Sequence, residues 1–166
     1  MTLFAIFMVM GSILAPAYAF NEYKSARQLA PPQPYDGTYV YTVSKPYINI
    51  RVVISSPGET MHITFTCGQT VRPYDHIFNF RVTGQGEWET KLSLALDSDD
   101  YKDMLKQFVR VFPAYASRPL HPGDLGKFTA DIGSLTLDTE IGDKQIIMDK
   151  QEGLSLLQCT YHACIC

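Results

Sequence analysis

The chain has 166 residues, 46% hydrophobic and 12% aromatic, with 14 basic against 17 acidic residues and a net charge of −3. This is far from the low-hydrophobicity, high-charge signature of disorder, and it supplies enough apolar material for one domain with a real core. With no basic block and no acidic tail, the charge pattern argues against nucleic acid and anionic membrane surfaces as partners.

The opening stretch "MTLFAIFMVMGSILAPAYA" carries an apolar run from Leu3 to Leu14 and then the small-x-small pattern Ala17-Tyr18-Ala19. It reads as a secretory signal peptide, residues 1–19, cleaved before Phe20. The run is short for a membrane span, and no later stretch reaches the ~20 apolar residues that one needs, so no membrane association is expected after cleavage. Residues 20–36 form a Pro-rich arm around "LAPPQP", and a single β-rich domain is expected over 37–166.

From Gly37 the pattern turns to alternation. "GTYVYTV" is followed by "YINIRVVISS", in which Ile48, Ile50, Val52 and Ile54 share one face. After the turn "SSPGET", "MHITFTC" places Met61, Ile63, Phe65 and Cys67 on one face. Pairing Ser55 with Thr60 brings the two apolar faces together, whereas a one-residue slip would set Ile54 against His62; the pattern therefore selects its own register. "HIFNFRVT" and "WETKLSLAL" continue as the fourth and fifth strands.

Asp97 or Ser98 then offers a helix N-cap, with Asp99 and Asp100 suited to the first turn and Tyr101, Met104, Leu105, Phe108, Val109 and Phe112 at helical spacing. An amphipathic helix over about 98–112 ends at Pro113. The Pro- and Gly-rich connection "PAYASRPLHPGDLG" follows, then a hairpin around Gly142-Asp143 that sets Leu137 opposite Met148 and Thr139 opposite Ile146. "GLSLLQCTY" reads as a last strand.

The fold class is therefore mainly β: an antiparallel barrel or strongly curved sheet of about eight or nine strands, with one helix inserted after the fifth. That many antiparallel strands need closure or a second layer to hide their edges. "DGTYVYT" resembles the Gly-x-Trp opening of lipocalins, without the tryptophan. Here the helix precedes three or four strands where lipocalins usually have one, so the resemblance is architectural and assigns no family.

Three of the four cysteines, Cys159, Cys164 and Cys166, crowd the C-terminus. Their spacing matches no usual zinc ligand set and contains no C-x-x-C, and in an oxidising compartment an even number of cysteines pairs. Bonding Cys67 to Cys159 would leave Cys164 to bond Cys166 across one residue, which strains disulfide geometry. Cys67 is expected to bond Cys164 or Cys166, tying the tail to a strand end.

The motifs of nucleophile elbows, zinc proteases, dinucleotide and nucleotide sites and EF-hands are all missing, so no catalytic residue, metal or cofactor is assigned. Asp97, Asp99 and Asp100 suit a helix start better than a cation. The early strands are rich in aromatics, and Tyr39, Tyr41, Phe65, Phe78, Phe80 and Trp88 are the candidate lining of an apolar ligand cavity inside a barrel. The expected function is a secreted, non-enzymatic binding domain, with either a small apolar molecule or an extracellular protein as partner. The alternative is a small secreted hydrolase with a dispersed site on the 113–126 loop, where His121 and Asp124 would be the acid/base pair.

Overall fold

The computed structural model describes residues 31–44, 47–67, 72–113 and 120–151. Among these residues eight strands follow one another around a closed antiparallel barrel: β1 (Gly37–Ser44), β2 (Tyr47–Ser55), β3 (Thr60–Thr66), β4 (Tyr74–Gln85), β5 (Glu89–Leu94), β6 (Lys127–Asp131), β7 (Thr136–Ile141) and β8 (Lys144–Gln151). One helix, α1 (Asp99–Val111), stands between β5 and β6. The architecture is the mainly β barrel with a single helix after the fifth strand that the alternation implies. The segment "GLSLLQCTY" and the cysteines of the tail lie outside the described residues.

Register follows the apolar pattern. Ile54 pairs with Met61, Val52 with Ile63 and Ile50 with Phe65, which leaves Arg51–Thr64 and Asn49–Thr66 on the outside. In the last hairpin Leu137 faces Met148 and Thr139 faces Ile146. Its two turn residues, Gly142 and Asp143, both have positive φ (44° and 43°), the condition for a two-residue hairpin turn that matches strand twist. Closure rests on three pairs between β1 and β8: Thr38–Gln151, Tyr39–Lys150 and Val40–Asp149. A register shift between Val82 and Gly84 bends β4 where it extends to meet β5.

The helix starts where its signals stand. Ser98 is the N-cap, its Oγ accepting the Tyr101 N–H at 3.2 Å, and Asp99 and Asp100 occupy the first turn beside the positive end of the helix dipole. Its buried face, Tyr101, Met104, Phe108 and Val111, lies over the barrel end that holds Phe65 and Tyr74. There the Phe108 ring meets Phe65 edge-on at 5.3 Å and Phe112 meets it at 6.0 Å. Phe65 stacks in turn on Tyr74 at 4.5 Å.

The opposite end, at the β2–β3 turn, is covered by residues 33–36, the last part of the Pro-rich arm. Tyr35 is buried edge-on against Phe80, and its carbonyl accepts the Tyr39 hydroxyl at 2.9 Å. Asp36 fixes this segment to the turn. Its carboxylate accepts the Gln33 N–H (2.9 Å), the Ser56 N–H (2.7 Å) and the Ser56 hydroxyl (2.6 Å).

Candidate functional sites inside and outside the barrel

The alternation of the early strands assigns the aromatic candidates to the barrel interior. Tyr39, Phe65, Phe78 and Phe80 do face inward and are buried, and Tyr41 is half-buried at the helix end, its hydroxyl 3.4 Å from the Lys144 Nζ. They meet other side chains there. Ile50, Met61, Ile63, Leu94 and Ile146 from the strands and Met104 and Phe108 from the helix are each fully shielded from solvent. An eight-stranded barrel is just wide enough for its own side chains to fill, and here large residues fill it. Burial, with the Asp36 charge adding to it, pushes the Tyr39 phenol up to about 12.

Trp88 lies elsewhere. It stands one residue before β5, is 61% exposed, and its carbonyl accepts the Ile132 N–H at 2.8 Å across the barrel rim. In the sequence it opens an apolar alternation, but the β4–β5 hairpin carries it past the barrel mouth.

The loop before β6 is built around Asp124, which is 3% exposed. Its Oδ2 accepts the His121 N–H (2.9 Å) and the Gly142 N–H (2.8 Å), which joins the loop to the β7–β8 turn. The Tyr101 hydroxyl donates to the Asp124 carbonyl (2.8 Å) and accepts the Gly123 N–H (2.9 Å), tying the helix to the same loop. Burial pushes the Tyr101 phenol up, against the pull of the Gly123 bond. A Cβ on Gly126 would come within 2.6 Å of the Tyr101 ring, so only glycine fits beneath it. The His121 ring points away from Asp124, to Asp143 Oδ1 at 3.3 Å. The two residues proposed as an acid/base pair are adjacent, but the Asp124 carboxylate is occupied by backbone donors rather than by the imidazole.

Outside the barrel this loop and strands β5 to β8 enclose a polar concavity of about 490 Å³, lined by Lys91, Lys127, His121, Glu89, Asp138 and Glu140 among others. Its two threonines are Thr129 and Thr139, and the Thr139 hydroxyl already donates to the Lys127 carbonyl at 2.8 Å. Asp138 is the unusual member. Its Oδ2 accepts from Gln145 Nε2 at 3.1 Å, while Oδ1 is shielded from solvent and has no close hydrogen-bond partner among the described residues. Desolvation raises its carboxyl pKa; Gln145 and, more weakly, the Thr136 hydroxyl oppose the shift, and the charges of Asp131 and Glu89 add to the rise. The sequence gives no warning of this, because Asp138 occupies an outward strand position where an acid is ordinary.

Among the described residues no group of three or more His, Cys, Asp or Glu is placed to hold a metal ion, and no helix is long and apolar enough to cross a membrane. Cys67 is buried at the end of β3, and its proposed partners, Cys164 and Cys166, lie outside the described residues, as does Cys159. No protein-family model, curated protein or solved structure matches this chain.

Proposed function

We propose that this chain is a secreted, non-enzymatic recognition module that presents the outside of its barrel to another extracellular protein. The observation that carries this reading is the filled interior. Carriers of apolar molecules need ~300 Å³ or more of enclosed space, and here the inward aromatics pack against one another and against Phe108 and Met104 of the helix. Recognition is thereby shifted to the exterior, where the polar concavity beside the 121–124 loop offers charged groups of both signs.

The hydrolase reading is weaker because Asp124 is committed to holding the loop and Thr139 to a backbone carbonyl. Among the described residues the concavity's lining contains no serine or cysteine. The signal peptide pattern supports export, and export supports disulfide pairing of Cys67 with Cys164 or Cys166.

The test is a pair of binding measurements on the secreted protein. Titration with an environment-sensitive apolar dye and with a fatty acid should show no stoichiometric binding. In a screen against extracellular proteins, a partner's binding should fall at least ten-fold with Lys91→Glu and Lys127→Glu. One-to-one uptake of the fatty acid would overturn the reading in favour of a carrier.

A further inference from the structure

A second concavity, which shares no lining residue with the one beside the 121–124 loop, has a different chemistry and does not depend on the reading above. It is a groove of about 760 Å³ between the start of β4 and one face of α1, with Pro73, Tyr74 and Val111 as its apolar lining and Arg72, Arg110 and Gln107 as polar members. Neither guanidinium forms an ion pair or a hydrogen bond among the described residues, and the same holds for the Tyr74 hydroxyl and the Gln107 side-chain amide. Four side-chain donor groups thus open on one groove without a bonded acceptor among the described residues.

Two acids also line it, and they are not equivalent. Asp75 is already engaged by His62, with Nε2 and Oδ1 2.5 Å apart. Asp103 stands seven residues before Arg110 on the same helix, which at 1.5 Å per residue puts it about 10 Å away along the axis. The groove is therefore polarised, acidic toward the start of α1 and basic toward its end. Burial, then the charges of Asp103 and Asp100, push the Tyr74 phenol up to about 12, so its hydroxyl remains a donor at neutral pH.

We infer that the groove between α1 and β4 binds an oxyanion carried on an apolar body, with the anion held by Arg110 and Arg72 and the body against Pro73, Tyr74 and Val111. Guanidinium groups suit this because their paired N–H donors match the two oxygens of a carboxylate, and the charge-assisted bonds are roughly twice as strong as neutral ones.

The experiment is an amide-shift titration of the full chain with benzoate, benzylamine and inorganic sulfate. Benzoate should give saturable shifts at residues 72–74 and 107–111, with sulfate weaker and benzylamine without saturation. Arg72→Ala and Arg110→Ala should each weaken benzoate about ten-fold, the scale of one lost charge-assisted bond. Lys106→Ala, which removes a cation of the same helix outside the groove, should leave the affinity unchanged. Both arginines are exposed, so melting temperatures close to the parent's will confirm that the variants fold. Equal affinity for benzoate and benzylamine, sulfate binding as tight as benzoate, or undiminished benzoate binding in the Arg72→Ala/Arg110→Ala double variant would overturn the proposal.

Discussion

The two ends of the barrel are closed by unrelated pieces of chain using the same device. At one end residues 33–36 are held by Asp36, whose carboxylate gathers two backbone N–H groups and a hydroxyl at the β2–β3 turn. At the other, the loop before β6 is held by Asp124, whose carboxylate gathers N–H groups of His121 and Gly142 at the β7–β8 turn. In each case an aspartate joins a connection to a distant hairpin turn and a tyrosine beside it bonds backbone: Tyr39 to Tyr35, Tyr101 to Asp124 and Gly123. The ends differ in what lies above the clamp. The Asp36 end has one inserted aromatic, Tyr35. The Asp124 end has a whole helix, whose Phe108 and Phe112 pack on Phe65. Apolar burial closes the helix end, and a polar clamp closes the other with little apolar area to support it.

The largest expected effect tests that asymmetry directly. Phe108→Ala removes a fully shielded ring from the cluster with Phe65 and Phe112, and should cost about 3–5 kcal/mol in urea unfolding. Tyr35→Ala, at the end with less apolar cover, should cost less than Phe108→Ala. Equal losses would mean that the two ends contribute alike and that the helix is no more than a lid.

Much of this arrangement is legible in the residues. The β2–β3 register is fixed because both strands bury one face only, so a slip by one residue places His62 or Thr60 against Ile54. The helix is legible because Ser98, Asp99 and Asp100 precede a period of 3.6 that stops at Pro113. Barrel closure is not, since the three β1–β8 pairs join residues more than a hundred positions apart and no local pattern encodes them. The roles of Asp36 and Asp124 are equally hidden, because a loop aspartate that collects backbone N–H groups looks in sequence like one that serves chemistry. Trp88 was misleading for the converse reason: alternation places it on the apolar face, but it is the hairpin length that decides whether that face still lies within the barrel.

The clamps themselves should rank by burial. Asp124→Ala strands two N–H groups in a site that is 3% exposed, and should cost about 3 kcal/mol. Asp36→Ala breaks three bonds at a half-buried site where water can replace them, and should cost about 1–2 kcal/mol. Urea denaturation of the two variants under one set of conditions checks the order. A larger loss at Asp36 would show that the polar clamp, rather than Tyr35, is what holds the less apolar end closed.

Asp138 gives the smallest effect and the sharpest contrast with the two clamps. All three are aspartates, but Asp36 and Asp124 collect backbone donors, whereas Asp138 has one amide from Gln145 and a shielded oxygen with no close partner among the described residues. Its pKa is raised, chiefly by desolvation, so the folded state binds its proton more tightly than the unfolded chain does. Stability from this group is therefore greatest below the unfolded carboxyl pKa and declines as pH rises through the folded value, the reverse of an aspartate whose charge is well bonded. Asp138→Asn removes that titration. The variant should equal or slightly exceed the parent in stability at neutral pH, with the advantage fading as pH falls through the raised folded value and gone below about 4, the ordinary carboxyl range. Melting temperatures of both proteins between pH 3 and pH 7 measure the difference. A variant that is less stable than the parent at neutral pH, by a margin that shrinks on acidification, would show that the Asp138 charge is satisfied in the fold after all, and would place it with Asp36 and Asp124.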